Sequence, residues 1–186
     1  MKIQFGGFVL TGLLMLSPLA LTAQDASQHM DQGASKMMKS ADIHFMVKAA
    51  QGGMAEVKMG QLATEKGSNP EVKAFGQKMI DDHTKANDQL KSIAQEQGVT
   101  LPTSLNGKDQ ATYDKLSNLA GAEFDKQYAK HMVADHQEDV KEFQKEANSG
   151  KDEKVKSFAA QTLPILQQHL QMAKDMQSKV GSGSSM

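Results

Sequence analysis

Val72-Lys73-Ala74-Phe75-Gly76-Gln77-Lys78-Met79-Ile80-Asp81-Asp82-His83-Thr84-Lys85-Ala86-Asn87-Asp88-Gln89-Leu90-Lys91-Ser92-Ile93 is the stretch whose periodicity decides the fold. Val72, Gly76, Met79, His83, Ala86, Leu90 and Ile93 recur at alternating steps of four and three. That spacing turns them onto one side of an α-helix and leaves the lysines and most of the acids on the other. Asn69 and Pro70 stand in front as an N-cap and a first helical residue, and Gly98 stands behind as a stop. A helix from about Pro70 to Gln97 follows, amphipathic, with one histidine in the middle of its buried stripe.

Working outward, three more segments carry the same signal. The first runs from about Ala41 to Lys66, broken by Gly67-Ser68-Asn69-Pro70. A long connection, Val99 to Asn118, contains Pro102, Gly107 and one short helix over about Lys108 to Leu116. The third long helix is expected from about Leu119 to Asn148, closed by Ser149-Gly150, and the fourth from about Asp152 to Lys179. Four amphipathic helices of matched length predict an all-α four-helix bundle over 41–179, with short links within each pair and a long one between helices 2 and 3. That long link fits either a crossover bundle of ferritin-like topology or an up-down bundle with a decorated loop. Residues 24–40 read as a flexible lead-in and 180–186 as a flexible tail.

The N-terminus reads as an export signal. Lys2 precedes an apolar run from Phe5 to Leu16, and Ala20-Leu21-Thr22-Ala23 supplies small residues for cleavage after Ala23. The run is shorter than the roughly 20 residues of a membrane span, which disfavours an uncleaved anchor. The expected location is therefore the periplasm, with no transmembrane segment after cleavage. In the lead-in, His29, Met30, Met37 and Met38 suit copper(I), although a plain tether with scattered methionines is the simpler account.

Composition removes several function classes. There is no cysteine, so disulfides and thiolate chemistry are excluded. All 21 basic residues are lysine and the net charge is -1, which counts against specific nucleic-acid reading. No Gly-rich phosphate loop, Ser-His-Asp set or paired-carboxylate pattern appears, so no catalytic residue is assigned. Neither a protein partner nor an oligomeric state is specified by the pattern.

The helical wheels do single out a site. In the first long helix, Phe45, Ala49, Gly53, Glu56, Gly60 and Ala63 form a stripe of mainly small residues around one carboxylate. The third helix buries Ala129, Met132, His136, Val140, Phe143 and Ala147, with His131 expected on the wet side. The fourth buries Val155, Phe158, Thr162, Leu166, His169, Ala173 and Met176, with Pro164 outside. Glu56, His83, His136 and His169 thus lie at similar heights, one per helix. Three imidazoles and one carboxylate suit a single zinc, copper, nickel or iron ion. A metal-free polar network in a structural or interaction bundle of the envelope is the competing account. Asp82 and Asp135, each beside a histidine, are candidates to orient a histidine on a neighbouring helix, or simply to pair with lysines. A di-iron oxidase is disfavoured: Ile80, Val133 and Leu166 stand three residues before the histidines, where Glu-x-x-His would place glutamate.

Helices 2 and 3 also echo each other. Phe75-x3-Met79-Ile80-x-Asp82-His83 parallels Tyr128-x3-Met132-Val133-x-Asp135-His136. With Glu56-x3-Gly60-x-Leu62-Ala63, Val72-x2-Phe75, Phe124-Asp125-x2-Tyr128 and Leu163-Pro164-x-Leu166-x2-His169-Leu170, these pieces make the chain resemble the bacterial domain of unknown function 4142 family from about Phe45 to Met176. The resemblance implies an exported protein with a ferritin-like helical fold. It implies no particular activity.

Overall fold

The computed structural model describes residues 23–182, with side chains from Ser40 to Gly181. The cleavage reading of residues 1–23 lies outside the described residues except at Ala23, as do the last four residues of the expected tail. The side chains of His29, Met30, Met37 and Met38 also lie outside them. From Ser35 onward the chain forms one compact unit, and residues before it belong to a second. The packing and the site described below belong to the larger unit.

The described residues form five α-helices and no strand: α1 (Ala23–Lys66), α2 (Pro70–Glu96), α3 (Gly107–Ser117), α4 (Gly121–Ser149) and α5 (Glu153–Ser182). Local chemistry sets these bounds. Asn69 accepts from the Glu71 amide at 2.8 Å with Pro70 in the first turn, and Gly98 leaves α2 with φ 67°. Asn106 caps α3 by accepting from the Asp109 amide at 2.9 Å. Pro164 sits inside α5 on its exposed face, where the Ala160 carbonyl that it leaves without a helical donor can take water. α1 begins at Ala23, so helical backbone occupies the stretch expected as lead-in. That stretch has no proline and only one glycine, Gly33, and nothing in it stops a helix.

Pairings across the bundle fix the helix directions. Glu56 of α1 faces His83 of α2, while nearer the link Gly60 faces Gly76, so α1 and α2 are antiparallel. A Cβ on Gly60 would lie 2.7 Å from the Gly76 carbonyl oxygen, so both glycines are needed for this close crossing. Phe45 meets Phe143 and Glu56 meets His136, which makes α1 and α4 antiparallel. Asp82 meets His169 and Glu71 meets Lys179, which does the same for α2 and α5. α4 and α5 pair through Phe143 with Phe158 and His136 with His169. α2 and α4 consequently point the same way, and residues 97–120 travel the length of the bundle between them.

Two apolar clusters fill the interior. One holds Met59, Val72, Phe75, Met79, Phe124, Tyr128, Met132 and Met176. The other holds Phe45, Met46, Leu90, Phe143, Val155, Phe158 and Leu166. Each fully buried side chain of this size contributes about 1.5–3 kcal/mol. Between the clusters, on all four long helices, the buried residues turn polar.

Candidate metal centre

The polar layer consists of the four residues the wheels select. Glu56 is 1% exposed, His83 6%, and His136 and His169 0%. Ring centroids lie 6.0 Å apart for His83–His136 and 5.4 Å for each of the other two pairs. One ligating nitrogen from each histidine lies within 4.8 Å of one from each of the others. Phe75 closes one side, its ring centroid 6.1 Å from that of His136 and 6.4 Å from that of His169.

Each imidazole uses one nitrogen on the protein and leaves the other bare. His136 Nδ1–H donates to the Met132 carbonyl at 3.0 Å. His169 Nε2–H donates to Asp82 Oδ2 at 2.7 Å. His83 Nδ1 lies 2.8 Å from Glu56 Oε2. The remaining nitrogens, His83 Nε2, His136 Nε2 and His169 Nδ1, are buried without a hydrogen-bond partner. Glu56 Oε1 is also without one, although it lies 3.2 Å from His136 Nε2. Because His136 donates through Nδ1, its neutral ring presents a lone pair at Nε2 to this carboxylate oxygen. Two acceptors so placed repel unless a proton or a cation sits between them.

Electrostatics keeps the rings in the ligating form. Burial pushes His83 down to about 4, against the pull of Asp135 and Asp82. Burial, then the charges of the other histidines, pushes His136 down to about 3. Burial lowers His169 to about 4 despite its bond to Asp82. All three are neutral at pH 7, the state that binds metals. Glu56 is held well above the usual carboxylate range, first by burial and then by Asp135 and Asp109.

The two aspartates of the sequence echo behave differently. Asp82 accepts from His169 and also pairs with Lys78 at 2.9 Å. Among the described residues, Asp135 makes no hydrogen bond or ion pair with a histidine, although its charge acts on His83. It joins Glu56 and Asp139 in a second cluster whose oxygens lie within 4.8 Å of one another. Burial lifts Asp135 to about 6, and burial followed by Glu56 and Asp135 lifts Asp139 well above its usual range. Glu56 is therefore not the sole carboxylate at this level. The wheels do not select Asp139, because it stands beside the His136 stripe rather than on it; its spacing of four from Asp135 is the signal that points to it. His131 is a correction. It is half-buried rather than solvated, with Nε2 unpartnered, because the pocket beside it is shared with Thr112 and Leu116 of α3.

A model of the family described as Domain of unknown function (DUF4142) matches residues 27–176. The chain belongs to this family. No curated protein matches the DUF4142 chain. Among solved structures it is similar to a DUF305 fragment from Deinococcus radiodurans, with a TM-score of 0.65 and 13% identity over 76% of this chain and 96% of that one. It is also similar to a "putative secreted protein DUF305" from Streptomyces coelicolor, with a TM-score of 0.66 and 13% identity over 76% and 92%. At that identity the likeness shows a shared helical fold alone. Among the described residues of the DUF4142 chain, no helix is long and apolar enough to cross a membrane.

Proposed function

We propose that this DUF4142 protein is an exported, ferritin-like bundle that binds one transition-metal ion through His83, His136 and His169, with Glu56 as the fourth ligand. The observation that carries this reading is the set of three buried ring nitrogens without partners, each on a histidine whose other nitrogen is held by protein. A buried polar atom without a partner costs about 1–3 kcal/mol, so three together call for a ligand. Holding the far nitrogen fixes the tautomer and aims the near lone pair, as outer partners do at zinc and copper sites. Zinc, copper, nickel and iron all suit imidazole-rich sites. Such an ion would polarise whatever it holds, while the histidines and Glu56 orient it and the apolar clusters keep bulk water away.

Export is supported by the charge, apolar run and small-residue exit at residues 2–23, and by the name given to the Streptomyces coelicolor neighbour. Ferritin-like connectivity is supported by the parallel course of α2 and α4.

One observation favours the competing metal-free account. Because Glu56 holds its proton above the usual range, that proton can sit toward His136 Nε2 and close the Glu56–His136 contact. It leaves His83 Nε2 and His169 Nδ1 unserved. Elemental analysis of protein purified from the periplasm without a polyhistidine tag tests the two. Near one metal per chain is expected; no metal, with no zinc or copper bound on titration, leaves a structural bundle.

A further inference from the structure

A buried centre needs a way in, and the structure places two spaces on either side of one side chain. The outer space is a groove of about 520 Å3 between α1, α2 and the start of the connection, with Met54, Asp88 and Leu101 in its walls. The inner space is about 20 Å3, bordered by Glu56, His83, Asp139 and Thr162. That is room for about one water or one bare cation. Asn87 is the one residue common to both linings.

Asn87 stands between the two spaces. Its amide makes no hydrogen bond among the described residues, although it is half-buried. It rests against Gly53, where an added Cβ would lie 2.2 Å from Asn87 Oδ1. Gly52, Gly53 and Ala86 line the inner space beside it. Inside, Glu56 and Asp139 offer oxygen ligands of the kind a cation takes, and among the described residues neither pairs with a lysine. The Phe75 ring packs against His136 and His169, and Asp82 is bound to both His169 and Lys78.

We infer that Asn87 gates the route by which a divalent cation enters and leaves the histidine centre, with the space between Glu56, His83 and Asp139 as the last station before ligation. The inference rests on the metal-binding reading above and adds the path and its gate. Along the path, the Asp139 and Glu56 carboxyl oxygens replace water ligands one at a time, so the ion is never bare among apolar side chains.

A gate changes both directions of passage by one factor and leaves the equilibrium alone, whereas a ligand changes the equilibrium. Cobalt(II) is the probe: its visible absorption reports entry into a four-coordinate site, and chelator chase reports exit. Asn87→Ala is expected to speed both loading and release by about tenfold and Asn87→Leu to slow both by about tenfold, with the ratio of the two rates unchanged. Lys78→Ala, which loosens the Asp82 side, is expected to alter neither. Unchanged rates in both Asn87 variants, a change in release alone, or a rate change in Lys78→Ala instead would overturn the gate. Failure of wild-type protein to take up cobalt, zinc or copper would overturn the centre itself and the gate with it.

Discussion

The hairpin α1–α2 and the hairpin α4–α5 follow one plan and end in different chemistry. At a constant offset, Asp42, Phe45, Glu56, Gly67, Asn69, Val72 and Phe75 correspond to Asp125, Tyr128, Asp139, Gly150, Asp152, Val155 and Phe158. The correspondence is physical. Asp125 accepts from the Ser68 and Asn69 amides at the first link, the latter at 2.9 Å; Asp42 accepts from the Lys151 and Asp152 amides at the second, the latter at 2.7 Å. Each hairpin thus caps the turn of the other. Asn69 and Asp152 then cap α2 and α5 in the same way.

The histidines break the plan. The counterparts of His136, His169 and His83 are Gly53, Ala86 and Leu166. These line the 20 Å3 space, whereas the histidines fill theirs. The same backbone plan therefore carries a ligand set on one side of its centre and an opening on the other. The bundle fold by itself does not make a metal site; side chains at a few matched heights do.

Removing a histidine gives the largest expected effect on this comparison. Zinc at a hundredfold excess over its Kd should stabilise wild-type protein by about 2.7 kcal/mol, and His136→Ala by none. Without metal, the same substitution should cost about 1–3 kcal/mol, because Glu56 loses its neighbour. Thermal melting of both proteins with zinc, copper and chelator checks both statements. Equal responses to zinc in the two proteins would remove the asymmetry between the hairpin centres.

The next effect separates the two aspartates of the sequence echo. Asp82→Asn should weaken zinc affinity by about tenfold to a hundredfold, since it withdraws the acceptor that aims His169. Asp135→Asn should weaken it less, because among the described residues Asp135 bonds to no histidine and lies beside Glu56 and Asp139 instead. Competition titration against a chromophoric chelator ranks them, and the reverse order would contradict the geometry.

Smaller differences concern the two turns. Asp125→Ala and Asp42→Ala should each cost about 1–2 kcal/mol by urea unfolding, as lost caps do. They should diverge with pH. Burial and Asp42 push Glu146 up to about 7, so its contribution is fully present below its ordinary value of 4.5 and fades as pH rises through about 7. Asp42→Ala should therefore cost less at pH 8 than at pH 5, and Asp125→Ala should lack that trend. The smallest effect is Glu146→Gln, which should flatten the alkaline decline. The metal-free histidines have the opposite sign. Lowered from 6.5 to about 3 or 4, they stabilise above pH 6.5, and that contribution is lost as pH falls toward 4.

Much of the fold and of the site is legible in the amino-acid sequence alone. Asn69-Pro70 and Gly98 bound α2, and the four-three spacing sets Glu56, His83, His136 and His169 on buried faces, because helix periodicity is local. The helix directions are not legible there: whether 97–120 crosses the bundle depends on pairs such as Asp125 with Ser68, which are far apart in sequence. Asp139 and His131 escape the helical wheels for a related reason. Both sit at stripe edges, where a neighbouring helix decides what is covered. The likeness of the two hairpins hides behind the more obvious echo of α2 and α4, because its shared residues are turn and cap positions rather than the histidines.

X-ray absorption at the zinc edge of protein loaded with one zinc per chain tests the central claim most directly. Three imidazole nitrogens at about 2.0–2.1 Å and one oxygen at about 2.0–2.2 Å are expected, with the oxygen contribution altered in Glu56→Gln. A shell of oxygens with one imidazole or none, unchanged in His136→Ala, would place the zinc on the surface and contradict the account.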